Sequence, residues 1–491
     1  MEFDTPLADY CPDIARLIRV DCTPFAEKWV TEGDKAVVSG KAVYDLLYET
    51  DYKNKLKYCS FTQDFSCTAP IPRNFKGDVS VFGEVRCKRI NCKLLSPRRI
   101  IIRCTLDADF GLETDTMLKA VAVNEDGESF FQKKSIDFLG RAQAVCETFR
   151  INDTVTLSQA EKNIGEIVCG RVVLQEPQIV PTAGNAEIKT TASIFVLCEE
   201  EAVEGKYFCV TKSLPVTLNM HSDSIEDFKT VSADISPRNP SFTADLDQYG
   251  ESRVIKTDFE IFARALIKEP KSYTVATDLF EKSFDGVCVN ATGDIPQNMP
   301  LPANGFSIEA KLTELSPRVR SILQWDILPS TAVAEPWVDG IKIKGAFNLS
   351  VLADTAEGVY SFDQAVPFEQ DIELNSPAAE YSLQAQVFPI EVMPNLHSDG
   401  SITARIIASA KINLCYKEEE CFVADVAKRT PAKEALSEPT LIYRFPQKGE
   451  SLWDIAKSYK ADPESILNAN LDSFDENGTL CLAAKPVIIK L

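Results

Sequence analysis

The two histidines of the chain lie in sequences that could suggest catalysis. His221 and His397 are each followed by serine and aspartate. Serine, histidine and aspartate can act together as nucleophile, base and orienting acid, but only when they converge from separate segments of a fold. Adjacent Ser and Asp residues between strands instead favour turns, through bonds to their own backbone. Nucleotide-binding, zinc-protease and nucleophile-elbow motifs are also missing from the sequence. We therefore predict two turns, no catalytic residues and no enzymatic activity.

The fifteen cysteines could serve as metal ligands or form disulfides. They include no Cys-x-x-Cys pair, and the closest pairs are Cys87/Cys92 and Cys415/Cys421. Neither has a second pair at the spacing of a zinc finger. The first twenty residues show no export signal, which favours a reducing compartment. The sequence thus predicts reduced thiols, no metal site and no cofactor.

The net charge of the chain bears on whether it binds nucleic acid. The formal net charge is −21, whereas phosphate binding needs clustered Lys and Arg. No apolar run reaches the roughly eighteen residues of a membrane span. These features predict a soluble protein that is made in the cytosol and binds no nucleic acid.

One pattern occurs three times in the chain. Residues 38–48, 188–198 and 343–353 alternate apolar and polar side chains, as half-buried strands do. They lie about 150 residues apart, and three further strand-like segments follow each of them in the same order. An apolar leader segment precedes each one, and both a short helix and a strand fit its spacing. We predict a mainly β chain with three tandem sandwich-like or barrel-like repeats at 1–135, 136–272 and 273–425.

The sequence changes character after residue 425. Residues 426–440 contain two prolines and mixed charges, which predicts a linker. In residues 441–491 two short amphipathic helices lie between apolar strands. Ser451 and Asp462 are suited to cap the two helices, and Pro463 fits the first position of the second. This predicts a small βααβ domain whose core includes Ile455, Ile466 and Leu467.

The motif Y-x-x-x-x-G-E-S-L-W-D-I-A-x-x-Y, followed by D-P-E-S-I-L-N-A-N, resembles the LysM family. LysM domains generally bind N-acetylglucosamine glycans between the loop that enters the first helix and the loop that leaves the second. The resemblance implies a binding groove formed by Lys448, Gly449, Glu450, Ser451, Leu452, Trp453, Asn470, Leu471 and Asp472. Trp453 is equally suited to stack on a sugar and to cover the core. Glu450 replaces the usual Asp, and Ala484 and Lys490 replace the Gly and Pro of the closing motif, which counts against a sugar ligand.

The three repeated segments resemble the SPOCS domain, a β-rich module of spore-coat-associated proteins in endospore-forming Firmicutes. Three such repeats followed by LysM resemble the coat morphogenetic proteins of clostridia. This implies a non-catalytic scaffold, made in the mother cell and located in the coat at the forespore surface. Its LysM domain would bind the coat ATPase, stage-IV sporulation protein A, and its β repeats other coat proteins. The alternatives are a peptidoglycan-binding or GlcNAc-binding protein of the wall or cortex, and a self-assembling spore-surface structure. Oligomerisation is left open.

Overall fold

The computed structural model describes residues 1–73, 75, 77–114, 117–124, 127–140, 143–182, 185–221, 230–313, 315–337, 340–373, 381–431, 441–447, 450–470, 474 and 486–490. Strands dominate these residues, so the mainly β class is confirmed. The two helices described have eight and seven residues. Neither is long and apolar enough to cross a bilayer.

The elements follow one another in three similar series. The first comprises β1 (Glu2–Pro6), β2 (Ile14–Glu32), β3 (Lys35–Thr50), β4 (Leu56–Pro70), β5 (Val79–Ser96), β6 (Arg99–Thr114) and β7 (Ser129–Leu139). The second comprises β8 (Gln143–Thr156), β9 (Ile164–Leu174), β10 (Gln178–Thr182), β11 (Asn185–Glu200), β12 (Tyr207–His221), β13 (Thr230–Leu246), β14 (Ser252–Lys268) and β15 (Pro270–Glu281). The third comprises β16 (Phe284–Pro300), β17 (Asn304–Leu312), β18 (Val319–Trp337), β19 (Gly340–Thr355), β20 (Gly358–Glu373), β21 (Tyr381–Leu396) and β22 (Ile402–Pro431). The chain ends with β23 (Leu441–Arg444), α1 (Leu452–Tyr459), α2 (Pro463–Ala469) and β24 (Val487–Lys490).

The chain divides into two compact units. The first contains residues 1–115, 140–269 and 298–415, and the second contains 116–139, 270–297 and 416–491. The predicted domain boundaries at 135/136 and 272/273 fall inside segments of the second unit. The reason is strand pairing at long range, because β7 pairs with β15 rather than with its own series.

The first unit consists of three pairs of antiparallel sheets. The first pair is β2–β3–β4 with β1–β6–β5. In the second pair, one sheet is β9–β11–β12, in which β10 also pairs with β11, and the other sheet is β8–β14–β13. In the third pair, the sheets are β18–β19–β20 and β17–β22–β21. Each pair encloses its own apolar core. We call these the first, second and third sandwiches.

These cores form because buried and exposed side chains alternate along the strands. In β14 the residues Ile255, Thr257, Phe259, Ile261 and Ala263 are buried, whereas those between them are partly or fully exposed. Successive side chains of a strand point to opposite faces, so this spacing buries one face of the sheet.

The leader segments are strands rather than helices. They form β2, β9 and β18, each at the edge of a sheet beside the first repeated strand, β3, β11 or β19. The β2–β3 pairing contains a bulge between Ala26 and Lys28. A Cβ at Gly40 would lie 2.0 Å from the Phe25 carbonyl oxygen, so only glycine allows this close approach.

The three sandwiches share an apolar cluster inside the first unit. It includes Leu47, Leu197 and Leu352, which occupy the same position in the three aligned segments of the sequence. One leucine comes from each sandwich, and Leu56, Leu323 and Val359 complete the buried cluster. Burial of apolar surface thus joins the three sandwiches.

A charged group is buried in the same unit. The Asp326 carboxylate accepts a hydrogen bond from Arg19 Nη2 at 3.0 Å and another from Arg171. The side chains of Arg19 and Asp326 are each 8% exposed. Burial alone would raise the pKa of Asp326, but the two guanidinium groups lower it below its ordinary value. One residue from each sandwich therefore contributes to an ion cluster.

The second unit combines the β7–β15 pair, most of β16, the end of β22 and the C-terminal elements. Val423 of β22 packs with Ala276 and Leu279 of β15. The first six residues of the predicted linker, 426–431, belong to β22, and 432–440 lie outside the described residues. The predicted βααβ order of the C-terminal region is confirmed, with β23 antiparallel to β24.

One of the two histidine sequences is a turn, as predicted. The backbone N–H of Gly400 donates to the His397 carbonyl at 2.9 Å, and Asp399 accepts from the Ser401 N–H at 2.9 Å. Gly400 has φ +88°, which favours glycine. His221 ends β12, and the residues that follow it lie outside the described part.

Candidate functional site

Capping residues define both helices of the C-terminal module. The Ser451 side chain accepts from the Asp454 N–H at 3.2 Å, and Asp454 accepts from the Ser451 N–H at 2.9 Å. This reciprocal pair is a capping box. Asp462 accepts from the Glu464 N–H at 3.1 Å, and Pro463 begins α2. The caps predicted from the sequence are both present.

The first helix is fixed to β15 through Trp453. The indole Nε1 donates to Asp278 Oδ2 at 2.8 Å, and the ring lies 5.2 Å from the ring of Phe280. Phe280 in turn stacks on Phe130 of β7. Trp453 thus covers an apolar core that the module shares with these strands. This structure favours the core role over the sugar-stacking role.

Asp278 binds two residues of α1. In addition to Trp453, Lys457 Nζ lies 2.6 Å from Asp278 Oδ2. Burial acts to raise the pKa of Asp278, but the hydrogen bonds from Lys457 and Trp453 outweigh it and the pKa lies below its usual range. The contact is therefore strongest while the carboxylate is ionised.

Asn470, a predicted groove residue, is buried and hydrogen-bonded within the module. It is 7% exposed, and its Nδ2 donates to the carbonyls of Ile466 and Ile488 at 2.7 Å each. Its Oδ1 accepts from the Ile488 N–H at 2.7 Å. The amide thus joins the end of α2 to β24 and has no donor left for a ligand. The helix terminus supplies the reason, because its free carbonyls need partners.

The other predicted groove residues differ in their contacts. Glu450 accepts from Arg444 Nη2 at 2.6 Å and from the Gln447 N–H at 2.9 Å, so its carboxylate closes the loop before α1. Ser451 is the cap of α1, and Leu452 packs partly buried against the module core. Lys448, Gly449, Leu471 and Asp472 lie outside the described residues.

The module exposes an apolar surface on β23 and on Phe445, the residue that follows it, which sequence reasoning missed. Ile442 packs inward, whereas Leu441, Tyr443 and Phe445 are 50%, 62% and 67% exposed. We call these three residues the β23 face. Single exposed apolar residues are common, but three within five positions form a patch suited to an interface. The alternation in the sequence LIYRF was the available signal, since it places three large side chains on one side of a strand.

The contacts of Asp278 and Phe280 could not be read from local sequence. These residues lie 175 and 173 positions before Trp453, and no spacing rule joins them. The structure also brings together Cys22, Cys87 and Cys104, although the closest pair in sequence near them is Cys87/Cys92. Strand pairing decides both groupings.

Removal of the α1 cap should weaken the module measurably. We expect Ser451→Ala to lower its unfolding free energy by about 1 kcal/mol, because the Asp454 N–H loses its acceptor. Hydrogen–deuterium exchange of the full chain, read on peptides that contain α1, would measure this. Tryptophan fluorescence would not, because three other tryptophans also contribute to it. Ser451→Asp is the matched control and should retain most of the stability. Equal losses in the two variants would show that the cap is not the cause.

The Asp278 contact should weaken in acid. Its folded-state pKa is depressed, so its stabilisation is complete above the ordinary Asp pKa of about 3.9 and is lost as the pH falls through the folded value. We expect Asp278→Asn to be less stable than the wild type at neutral pH and equally stable at low pH. Urea unfolding of both proteins across this range tests the prediction. A stability difference that stays constant into acid would contradict it.

Comparison with known proteins identifies one segment. Residues 13–95 match the family model described as SipL, SPOCS domain. No curated protein and no solved structure matches the chain. The matched segment contains β2 to β5 almost completely but not β6, which lies between β1 and β5 in the second sheet of the first sandwich. The family is a structural, morphogenetic one associated with the spore coat. Residues 13–95 of this chain are therefore a SipL-type SPOCS domain.

Proposed function

We propose that the chain is a non-catalytic scaffold of the spore coat. The SPOCS match at residues 13–95 carries this proposal, since it indicates a role in sporulation at the coat. In the proposed arrangement all three sandwiches are SPOCS domains that position coat proteins, and the C-terminal module is a LysM domain. The protein is made in the mother cell and joins the coat at the forespore surface.

The C-terminal module is proposed to dock the coat ATPase, stage-IV sporulation protein A. Two observations support a protein partner. Trp453 and Asn470 are engaged inside the chain and leave the predicted groove with fewer groups for a sugar. The β23 face instead presents two aromatic rings and a leucine, the residue types that anchor protein interfaces. The loops that contain Lys448, Gly449, Leu471 and Asp472 are proposed to border this contact.

Glycan binding is the second candidate. The observation that favours it is the strand–helix–helix–strand order of the module, which is the order that the LysM resemblance implies. Incubation of the full chain with purified peptidoglycan and with chitin separates the two candidates. The scaffold proposal predicts that the chain stays in the supernatant. Retention that free GlcNAc oligomers abolish would favour the glycan-binding function.

Self-assembly is a third candidate, because β4, β12 and β20 are edge strands of their sheets. Sedimentation velocity of the purified chain over a range of concentrations tests it. Concentration-dependent growth into large particles would support self-assembly. A constant small species would exclude it under those conditions.

The scaffold proposal is tested in sporulating cells of the organism that makes the protein. A fluorescent fusion should form a ring at the forespore surface, and loss of the coat ATPase should disperse that ring. A fusion that locates at the forespore without the ATPase would contradict the docking step. A fusion that stays dispersed in cells with an intact coat would contradict the scaffold function itself.

A further inference from the structure

Three thiols meet in the first sandwich. They come from different strands, with Cys22 on β2, Cys87 on β5 and Cys104 on β6. The sulfur of Cys104 lies 3.6 Å from that of Cys22 and 3.7 Å from that of Cys87. All three sulfurs lie within 4.8 Å of one another. Cys104 is 3% exposed and the other two are half-buried, so the sheet core holds the group in place.

The spacing of the sulfurs suits one bound ion. Three sulfurs that each lie about 2.3 Å from a metal are about 3.8–4.0 Å apart. The two pairs that include Cys104 are within a few tenths of an ångström of this spacing, and Cys22 and Cys87 lie no more than 4.8 Å apart. A disulfide would use two of the three and requires about 2.05 Å between sulfurs. The arrangement is thus closer to a ligand set than to a disulfide.

The number and type of ligands select the ion. Thiolates are soft ligands that favour Cu(I) and Zn(II) among common cellular metals. Structural zinc sites almost always have four ligands. In the part of the chain that the structure describes, the group contains three thiols and no fourth Cys, His, Asp or Glu. Three sulfur ligands without a fourth favour Cu(I) over Zn(II).

A pocket beside Cys104, lined by exposed side chains of β5 and β6, offers positive charge. It has a volume of about 510 Å³, and Cys104 lines it together with Arg89, Lys93 and Arg103. Cu(I) held by three thiolates carries a net charge of −2, because each thiol releases one proton on binding. Three basic side chains against one acidic one, Glu2, leave the pocket net positive, which offsets part of that charge across the sheet.

We propose that Cys22, Cys87 and Cys104 bind one Cu(I) ion through their three thiolates. This site lies in the first sandwich, with Cys22 and Cys87 inside the matched residues 13–95 and Cys104 beyond them, and it is independent of docking by the C-terminal module. It gives the first sandwich a ligand of its own, which ties β2 of one sheet to β5 and β6 of the other. Copper loading should therefore also stabilise the sandwich, since binding favours the folded state.

The test uses the reduced full chain under anaerobic conditions. Cu(I) is supplied as its coloured complex with bicinchoninate, at a chelator excess that prevents capture by isolated thiols. We expect the wild type to remove one copper per chain and X-ray absorption to show three sulfur neighbours. The half-buried Cys22→Ala and Cys87→Ala should each bind at least tenfold more weakly. Cys92→Ala, which removes a half-buried thiol of the same strand β5, is the matched control and should bind as the wild type does.

Each outcome decides the proposal. Circular dichroism shows whether the variants are folded. An alanine variant that does not fold is replaced by the serine variant at the same position, Cys22→Ser or Cys87→Ser. Wild-type uptake that is equal in Cys22→Ala, Cys87→Ala and Cys92→Ala overturns the site. Tight binding of zinc, measured with a chromophoric zinc chelator, together with failure to take up copper overturns the assignment of the ion. No uptake of either metal by the reduced wild type overturns the proposal altogether.

Discussion

Replacement of Asp326 by alanine should destabilise the three-sandwich unit by about 3–5 kcal/mol. The substitution leaves the guanidinium groups of Arg19 and Arg171 without their shared carboxylate, and Arg19 is 8% exposed. Removal of one partner from a buried ion cluster has a cost of this size when the remaining charge is poorly paired. Arg19 keeps its ion pair with Asp21 and the Arg171 side chain is 29% exposed, so we expect the lower end of this range. Urea unfolding followed by circular dichroism should show a midpoint lower by about 1 M or more.

An exposed ion pair in the same unit provides the control. Asp258 pairs with Arg150, whose side chain is 69% exposed. Asp258→Ala should cost less than about 1 kcal/mol, since water replaces the lost partner. Asp326→Asn keeps the shape of the side chain and should resemble Asp326→Ala, because the negative charge is what matters. Similar midpoints for Asp326→Ala and the wild type would show that the cluster contributes nothing to the joining of the sandwiches.

The stability of the unit at acidic pH depends on the same ion cluster. The two arginines depress the pKa of Asp326, so its contribution is complete above the ordinary Asp pKa and is lost as the pH falls through the folded value. The apolar cluster of Leu47, Leu197 and Leu352 does not titrate. The sandwiches should therefore remain associated, though less stably, where Asp326 is protonated.

The second large effect concerns the β23 face. The double variant Tyr443→Asp/Phe445→Asp should weaken binding to the coat ATPase at least about 30-fold, or about 2 kcal/mol, if these rings anchor the contact. Both side chains are more than half exposed, so the substitutions should leave the module folded. Surface plasmon resonance with immobilised ATPase would measure the change.

Tyr249→Asp is the matched control for this experiment. Tyr249 is 69% exposed and lies in the turn between β13 and β14 of the second sandwich. Like each of the two substitutions in the double variant, Tyr249→Asp replaces an exposed aromatic ring with one negative charge, and ATPase binding should not change. Equal loss in both variants would indicate a general effect of charge. Unchanged binding in both would place the contact elsewhere on the chain.

Much of the fold follows from the residues. Alternation with a period of two predicts the strands, and the register of β3 with β4 and of β11 with β12 places their apolar residues on the buried face. Ser451 and Asp462 predict the starts of both C-terminal helices through local bonds alone. Strand alternation and helix caps can be predicted from the sequence because they depend on residues that are close together in the chain.

Long-range contacts explain what the sequence did not show. Trp453 could serve a ligand or a core, and only its position beside Asp278 and Phe280 favours the second role. Asn470 looked like a loop residue, but the pairing of β23 with β24 brings Ile488 to its side chain. Asp326 in the third repeat aligns with Arg171 in the second. Nothing in the local sequence indicates that these two side chains form an ion pair.

The central proposal is that the C-terminal module binds a protein rather than a glycan. Isothermal titration of the full chain with the purified coat ATPase, and separately with a GlcNAc oligomer, tests it most directly. We predict saturable heat with the ATPase, its loss in Tyr443→Asp/Phe445→Asp, and no heat with the oligomer. Saturable binding of the oligomer together with no binding of the ATPase would contradict the proposal.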